Sequence, residues 1–322
     1  MAMIAFASNS LLCRAALKQT SIDAASFTFI RIFSGAAALW FILKIRSLLR
    51  IDRTASPLVE RSSNSPATPK PGEGGSLATD HSSLRQAGNW PSALALFAYA
   101  AAFSFAYNTL SAGTGALLLF SAVQATMIFW GLRKGERLDA IQIVGLVVAL
   151  IGLVVLVFPG LSAPPIGGSI LMLGAGVAWG VYSLRGKGAG DAIAATTGNF
   201  LRAVPFAAAV SIIMLPLSRL DRAGISYAVI SGAITSGLGY VIWYSVLSDS
   251  TPAPSRRRGD MDAPRDKLGP VSAAAVQLSV PVLAAAGGIL LLGEPITLRF
   301  LFASIAVLGG IALVVIEKHH AT

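Results

Sequence analysis

The sequence has little charge and a single cysteine. Charged residues make up 12% of the 322 residues, about half of the roughly 25% that is typical of soluble domains. This excludes a pair of soluble domains, since their surfaces need more charge. Cys13 alone cannot build a disulfide framework, and the 32 glycines exclude a coiled coil. With 54% hydrophobic residues, the composition favours a polytopic membrane protein.

Acidic residues and histidines are missing from the apolar parts of the chain. The acidic residues lie in loops or at the ends of apolar runs, and His81, His319 and His320 lie outside these runs. A buried carboxylate or histidine relay is the usual device for proton coupling in a membrane, so we expect none in the core. No metal-ligand spacing, phosphate loop or nucleophile constellation is present, and the sequence predicts neither a catalytic site nor a cofactor.

Ten apolar runs have about the length that a spanning helix needs. They are rich in Ala, Leu and Gly and do not alternate, which excludes strands. The predicted fold class is an all-α integral membrane protein with ten transmembrane helices. The first run begins at Met1 without a basic residue, which favours a spanning helix over a cleaved signal segment. The runs cover residues 1–17, 24–43, 90–110, 113–131, 139–158, 168–185, 193–216, 225–247, 271–292 and 298–316.

Two polar segments, 47–89 and 249–267, are predicted to be flexible loops outside the bilayer. The second contains three consecutive arginines, for which contact with anionic lipid is favoured over contact with a protein partner. Basic residues concentrate in the loops on the side of both chain termini. This asymmetry predicts that both termini are cytoplasmic. The positive charge in the loops therefore indicates how the chain is oriented in the lipid bilayer, and we expect no nucleic acid as a partner.

The two halves of the chain match each other weakly in several places. The matching segments are 5–31 with 176–202, 107–111 with 244–248, and 135–136 with 293–294. With five helices in each half, the second half enters the membrane from the opposite side, so the repeats are inverted. The predicted repeats cover residues 1–158 and 168–316. Two similar halves around one central site are a recurring design of transporters, although duplication can also serve folding alone.

The chain resembles the EamA-type members of the drug/metabolite transporter superfamily. The matching features are segment 4–14, Phe29-Ile30-Arg31, the Gly-Glu pairs at 135–136 and 293–294, and segment 237–244. The similarity covers nearly the whole chain apart from the two polar loops. It implies ten helices in two inverted repeats around a central cavity. It also implies export or exchange of small metabolites such as amino acids, or of drugs, across the bacterial inner membrane.

Two arginines lie inside predicted helices at equivalent positions, Arg31 and Arg202. In one interpretation they attract an anionic group of a substrate, because the planar guanidinium can hold a carboxylate through two hydrogen bonds. In the other they bond helix-end carbonyls or reach towards the interface. We favour the structural interpretation because both halves keep the arginine, whereas a substrate contact need not be duplicated.

Further candidates for substrate binding are polar and aromatic residues inside the runs. Asn9 is predicted either to face the cavity or to bind a neighbouring helix. The aromatic candidates fit an interfacial belt as well as a binding site. The belt is favoured for the aromatic residues singled out in the third and eighth helices, Tyr107, Tyr240, Trp243 and Tyr244. The remaining candidates are Tyr107, Gln124, Trp179, Tyr182, Tyr244 and Gln277. Glu136 and Glu294, each after a glycine, are predicted to be helix caps or gate hinges.

Taken together, these features favour an inner-membrane transporter of small molecules that works by alternating access, as an exporter, without a proton relay. Sodium coupling stays open, because backbone carbonyls can hold sodium. The expected partners are a small-molecule substrate and the lipid bilayer. A membrane scaffold or sensor is the alternative, with the long polar loops as its binding segments. A membrane enzyme acting on lipid-linked substrates would need a reactive pair inside the bilayer, which the sequence lacks.

Overall fold

The computed structural model describes residues 2–60, 87–135, 137–160, 163–186, 191–240, 242 and 277–317. In the first of these ranges the side chains are described for residues 3–48, and in the last for residues 277–315. Within these ranges the chain forms helices and no strand, as the fold class predicts. Tyr244, Glu136 and the predicted loop 249–267 lie outside the described residues.

Ten α-helices occur in the described ranges, and each overlaps one of the ten apolar runs; a short 3₁₀ helix, Leu215–Leu217, follows the seventh. In chain order they are α1 Ala2–Gln19, α2 Ala24–Glu60, α3 Trp90–Ala106, α4 Ala112–Arg133, α5 Ala140–Val157, α6 Ile166–Gly186, α7 Ala192–Ile213, α8 Arg222–Val229 with its π-helical continuation Ile230–Leu238, α9 Ser279–Leu292 and α10 Leu298–Glu317.

Six of the helices in the described ranges are long and apolar enough to cross a membrane. These spans are Ala24–Leu48, Ala112–Arg133, Ala140–Val157, Ile166–Gly186, Ala192–Ile213 and Leu298–Val315. The most apolar is α5, with a mean hydropathy of 3.0, and it turns Ile151 and Val154 outward. A continuous apolar outer surface of this kind suits lipid and not water, which marks a multi-pass helical membrane protein.

Helix α2 runs to Glu60, and this corrects the predicted loop at 47–89. The helix continues through the first part of that segment, up to position 60. Between Ser47 and Glu60 the sequence has no glycine, and its leucines and arginines are good helix formers that precede or flank the single proline, Pro57. Polar composition was therefore misread as a helix end. The far end of the predicted loop is correct, because Asn89 accepts a hydrogen bond from the Ser92 N–H and caps α3.

Glycines with left-handed backbone follow α4 and α9. Gly135 has φ +91° and Gly293 has φ +61°, values that side chains disfavour and glycine adopts freely. Both belong to the Gly-Glu pairs noted in the sequence. Each of them follows the end of a helix.

The helices pack mainly across the two halves of the chain. Helix α1 packs on α8 and α9, α6 packs on α3 and α4, α2 packs on α7 and α8, and α5 packs on α10. Small residues allow the close approach: a Cβ atom on Gly145 would meet the Gly310 carbonyl oxygen, and one on Gly176 would meet the Leu119 carbonyl oxygen. These contacts support helix packing as the role of the glycines.

The π-helical part of α8, Ile230–Leu238, lies against α2 and α1. Gly232 touches α2 so closely that an added Cβ would overlap the Arg31 carbonyl oxygen and the Ser34 Oγ. A π-helix is wider than an α-helix and is frequent at functional sites. Here it brings Ser231 and Thr235 to face α1.

Candidate functional site

Asn9 lies near the middle of α1 and is buried, with 6% of its surface exposed. Its Oδ1 accepts hydrogen bonds from Ser231 Oγ at 2.5 Å and Thr235 Oγ1 at 3.3 Å. Its Nδ2 donates to the Tyr99 hydroxyl at 3.4 Å. Asn9 also lines a central cavity, so both interpretations of this residue hold. The amide joins α1, α3 and α8 at the cavity wall.

Tyr99 of α3 connects the polar residues with the aromatic ones. Its hydroxyl accepts from Asn9 Nδ2 and from Arg31 Nη2, the latter at 3.1 Å. Its ring packs on Trp179 of α6, with ring centroids 4.8 Å apart. The sequence analysis missed this residue. Its signal was a tyrosine in the middle of the stretch 93–103, which otherwise consists of Ala, Leu and Phe.

Arg31 of α2 is almost fully buried, with 3% of its surface exposed. Its guanidinium carbon lies 4.8 Å from the ring centre of Phe103 and 5.4 Å from that of Tyr99, a cation–π arrangement. Its Nη2 donates to the Tyr99 hydroxyl, whereas its Nη1 has no hydrogen-bond partner within the described part of the chain. The described residues also place no carboxylate within ion-pair distance of Arg31.

Arg202 of α7, the equivalent residue, is held differently. Its Nη1 donates to the Ala87 carbonyl oxygen at 2.6 Å and to the Gly198 carbonyl oxygen at 3.0 Å. Ala87 lies just before α3, so Arg202 ties this connection to α7. The structural interpretation therefore describes Arg202 well, while Arg31 lacks such carbonyl partners.

The central cavity is small and mixed in character, with a volume of about 20 Å³. That is close to the space for one water molecule. Its wall combines hydroxyl and amide groups with aromatic rings. The lining residues are Phe6, Asn9, Ser10, Tyr99, Phe103, Leu119, Phe120, Trp179, Thr235, Ser236, Tyr240 and Gln277.

Three further predicted residues lie at or near this cavity. Gln277 and Trp179 line it. Tyr182 is buried and packs on Trp179, with ring centroids 5.4 Å apart, behind the cavity wall. Tyr240, for which an interfacial belt was favoured, is instead buried and lines the cavity. An inward-facing tyrosine cannot contribute to a lipid-facing belt.

Tyr107 and Gln124 are not among the residues that line this cavity. Tyr107 is fully buried at the end of α3, where its hydroxyl donates to the Ala112 carbonyl oxygen at 3.3 Å. Its ring packs against Gly115 and Phe103, so it joins α3 to α4 and does not face lipid. Gln124 of α4 is buried, and its Nε2 has no hydrogen-bond partner among the described residues.

Glu294 and Arg14 close one end of the helix bundle, which we call the Glu294 end. Arg14 Nε donates to Glu294 Oε1 at 3.0 Å, and its Nη1 donates to the Tyr107 carbonyl oxygen at 2.8 Å. The Glu294 Oε2 accepts from the Ala112 N–H, at the first turn of α4, at 2.8 Å. Glu294 thus caps a helix, as predicted for it, but the helix belongs to the other half of the chain.

Asp23, in the turn between α1 and α2, also lies at the Glu294 end. Its Oδ1 accepts from the N–H groups of Ala25 and Ser26, and its Oδ2 accepts from the N–H of Arg219. Burial raises the pKa of this carboxyl, but the N–H donors outweigh it and hold the pKa below the ordinary value of 3.8.

The stability that Asp23 provides is expected to depend on pH. Because its pKa is lower in the folded state, this contribution is present above pH 3.8 and is lost as the pH falls through the lowered value. In thermal unfolding in detergent, Asp23→Asn should unfold at a lower temperature than wild type at neutral pH. The gap should close in acid. A gap that stays constant over the whole range would contradict this assignment.

Helices of spanning length around a small cavity with polar and aromatic walls define a multi-pass membrane protein with an internal candidate binding site. Three or more potential metal ligands of the His, Cys, Asp or Glu type do not come together anywhere in the described ranges. The chain belongs to the same family as the uncharacterized protein PA1977 of Pseudomonas aeruginosa. The two are 49% identical over 318 residues, which span 99% of this chain and 93% of that protein.

No family model matches the chain. A solved structure, described only as the crystal structure of a protein, superimposes with a TM-score of 0.54 over 98% of both chains. The sequence identity is 16%, so this likeness concerns the fold alone. It indicates that the helix arrangement over the whole chain occurs in another solved protein.

Proposed function

We propose that the protein is a transporter of small organic molecules of the EamA type, which works by alternating access between two inverted five-helix repeats. In this proposal it resides in the bacterial inner membrane with both termini cytoplasmic, and it exports its substrate. The substrate site is the central cavity at Asn9, Tyr99 and Trp179.

One observation carries the proposal: the cavity is lined by matched helices of the two halves. The first half contributes α1, α3 and α4, and the second half contributes α6, α8 and Gln277, which lies two residues before α9. Counted from the start of each predicted repeat, these are the same three positions. A site shared equally by two repeats is what alternating access needs, because rocking of one half against the other then exposes the site to either side.

The contacts between helices also support the proposed repeat, because several of them have an equivalent when the two halves are exchanged. The pairing of α1 with α8 and α9 corresponds to the pairing of α6 with α3 and α4. The pairing of α2 with α8 corresponds to that of α7 with α3, while α5 and α10, which are equivalent, pack on each other. Such exchange of partners is expected of two units related by a twofold axis.

The equivalent arginines Arg14 and Arg185 hold opposite ends of α3. Arg14 binds the Tyr107 carbonyl oxygen just after this helix, and Arg185 binds Asn89 and Ser92 at its beginning. Helix α3 also carries Tyr99 at the cavity. Breaking one of these attachments would free one end of the helix, which suits an element that opens the cavity to one side at a time.

Coupling to protons has no support in the cavity itself. The described residues that line it include neither an acidic side chain nor a histidine, and such groups usually carry a relay. Exchange or facilitated transport is the mode we propose. A strict dependence of flux on the proton gradient would count against it.

The experiment is counterflow into liposomes that contain the purified full-length protein. Vesicles loaded with an unlabelled solute should accumulate the same radiolabelled solute to a saturable level, and protein-free vesicles should not. The panel should contain amino acids, organic anions and neutral organic solutes. Absence of saturable counterflow for every class would overturn the proposal and favour the scaffold or sensor role.

Trp179→Ala should lower the flux by about tenfold or more, because a large aromatic side chain in a binding cavity often dominates the contact with the ligand. Trp40→Ala is the matched control. Trp40 belongs to the spanning part of α2 but is 44% exposed on the outer surface, so its removal should leave flux near wild type. Equal flux in the two variants would place the substrate elsewhere.

A further inference from the structure

We infer that Arg31 is the counter-ion for an anionic group of the transported solute, and that the substrates are small organic monocarboxylates with an apolar body. This inference rests on the proposed function. It also narrows the range of amino acids, metabolites and drugs that the EamA resemblance implies.

The first step is the incomplete pairing of a buried charge. Arginine keeps its charge in proteins, and Arg31 is 3% exposed in the middle of an apolar bundle. A charge in such a place normally has a partner of opposite sign or several hydrogen bonds. Arg31 has the Tyr99 hydroxyl and two ring faces, and its Nη1 has no partner in the described part of the chain. The helix bundle therefore contains a buried cation that an anion would stabilise.

The second step is the comparison with Arg202. The two arginines are equivalent in the repeat, yet Arg202 donates to two backbone carbonyl oxygens and fastens the connection before α3. If the arginine served packing in both halves, both should be satisfied by the protein. Among the described residues, Arg202 has carbonyl partners, whereas Arg31 keeps an unpaired Nη1 and lies beside the cavity. This difference separates a structural arginine from one that awaits a ligand.

The third step is the position of Arg31 relative to the cavity. Arg31 contacts Tyr99 and Phe103, and both of these residues line the cavity. The guanidinium therefore lies one side chain behind the wall. A carboxylate can take the free Nη1 once the cavity widens and the Tyr99 ring moves aside. The present volume of about 20 Å³ holds about one water molecule, so binding belongs to a more open state.

The rest of the wall defines the body of the ligand. Phe6, Phe103, Trp179 and Tyr240 present aromatic surface, which favours an apolar or planar body. No acidic side chain is among the described lining residues, so the ammonium group of an amino acid would find no charged partner. A monocarboxylate without an ammonium group matches the site better than a zwitterion.

Binding is tested on the full-length protein in nanodiscs of phosphatidylcholine, which carry no net negative lipid. Benzoate and hexanoate are the probes, and benzamide and hexanamide are the neutral controls of the same shape. The carboxylates should raise the unfolding temperature in a saturable way, and the amides should not. Phenylalanine should bind more weakly than benzoate.

Two variants are expected to change the unfolding temperature in opposite directions. Arg31→Gln removes an unpaired buried charge, so the ligand-free variant should unfold at a temperature equal to or above that of wild type. Its dissociation constant for benzoate should rise by about tenfold or more, because a charge-assisted hydrogen bond is lost. Arg202→Gln should unfold at a lower temperature than wild type and keep the benzoate response.

The inference is wrong if Arg31→Gln destabilises as much as Arg202→Gln and keeps the benzoate response. It is also wrong if the amides act like the carboxylates, or if no carboxylate shifts the unfolding temperature. If only anionic phosphatidylglycerol stabilises wild type and not Arg31→Gln, the counter-ion is a lipid headgroup and the solute inference is wrong. Carboxylate binding without counterflow would instead refute transport, whereas counterflow of neutral solutes that Arg31→Gln leaves unchanged would support transport and refute this anion site.

Discussion

Replacing Glu294 with alanine should lower the free energy of unfolding by about 3–5 kcal/mol, the cost that follows when one partner of a buried ion pair is removed. The side chains of Arg14 and Glu294 are 14% and 6% exposed, and their atoms lie 3.0 Å apart. Without Glu294, Arg14 would be a largely buried cation whose remaining partners among the described residues are the backbone carbonyl oxygens of Tyr107 and Asn108. The Ala112 N–H at the start of α4 would also lose its acceptor. Equilibrium unfolding in mixed micelles, followed by circular dichroism, measures this loss.

Two controls separate the ion pair from simple capping. Asp139 caps α5 through a capping box and has no ion-pair partner among the described residues. Asp139→Ala should therefore lower the free energy of unfolding by only about 1 kcal/mol. The double variant Arg14→Met with Glu294→Leu should recover part of the loss, because no buried charge is left behind. If Glu294→Ala costs no more than Asp139→Ala, the ion pair contributes little to the fold.

Gly232→Ala is expected to cost about 3 kcal/mol and to abolish counterflow. The added Cβ would overlap the Arg31 carbonyl oxygen and the Ser34 Oγ. Backbone atoms cannot rotate out of the way as side chains can, so α8 must move away from α2, and overpacking of this kind is costly. The same movement would withdraw Ser231 and Thr235 from Asn9 and disturb the cavity wall.

Gly174→Ala is the matched control for this variant. A Cβ on Gly174, within α6, would meet no atom within 4 Å. Alanine also favours a helix over glycine by roughly 1 kcal/mol, so this variant should be as stable as wild type or slightly more stable, with normal flux. Unfolding in mixed micelles and counterflow together provide the measurement. Equal behaviour of the two alanine variants would show that α2 and α8 are not in close contact.

The position of each helix along the chain could be predicted from the sequence. All ten apolar runs overlap helices in the described ranges, because a spanning helix needs a long local stretch of apolar residues, which can be read directly. The end of α2 was predicted too early, since helix propensity continued into a polar segment. The π-helical part of α8 was not predicted, because it depends on contacts with α1 and α2.

The candidate site was predicted in part. Asn9, Trp179 and Gln277 line the cavity as the sequence suggested, whereas Tyr107 packs between α3 and α4. Tyr99 was missed, although it bonds both Asn9 and Arg31. The depth of a residue in the membrane follows from its place in an apolar run. Its direction around the helix axis does not, because every face of these helices is apolar.

By itself, the sequence determined a helical membrane protein, the places of its helices and the weak likeness of its halves, because hydropathy and length act within each segment. Only the tertiary structure decided how Arg31 and Arg202, which align between the two halves of the sequence, differ. Arg202 bonds carbonyl oxygens of its own helix and of a neighbouring connection, while Arg31 lies beside aromatic rings with its Nη1 unpaired among the described residues. The reason is physical: the satisfaction of a buried charge depends on which other helices surround it, and no local pattern encodes those neighbours.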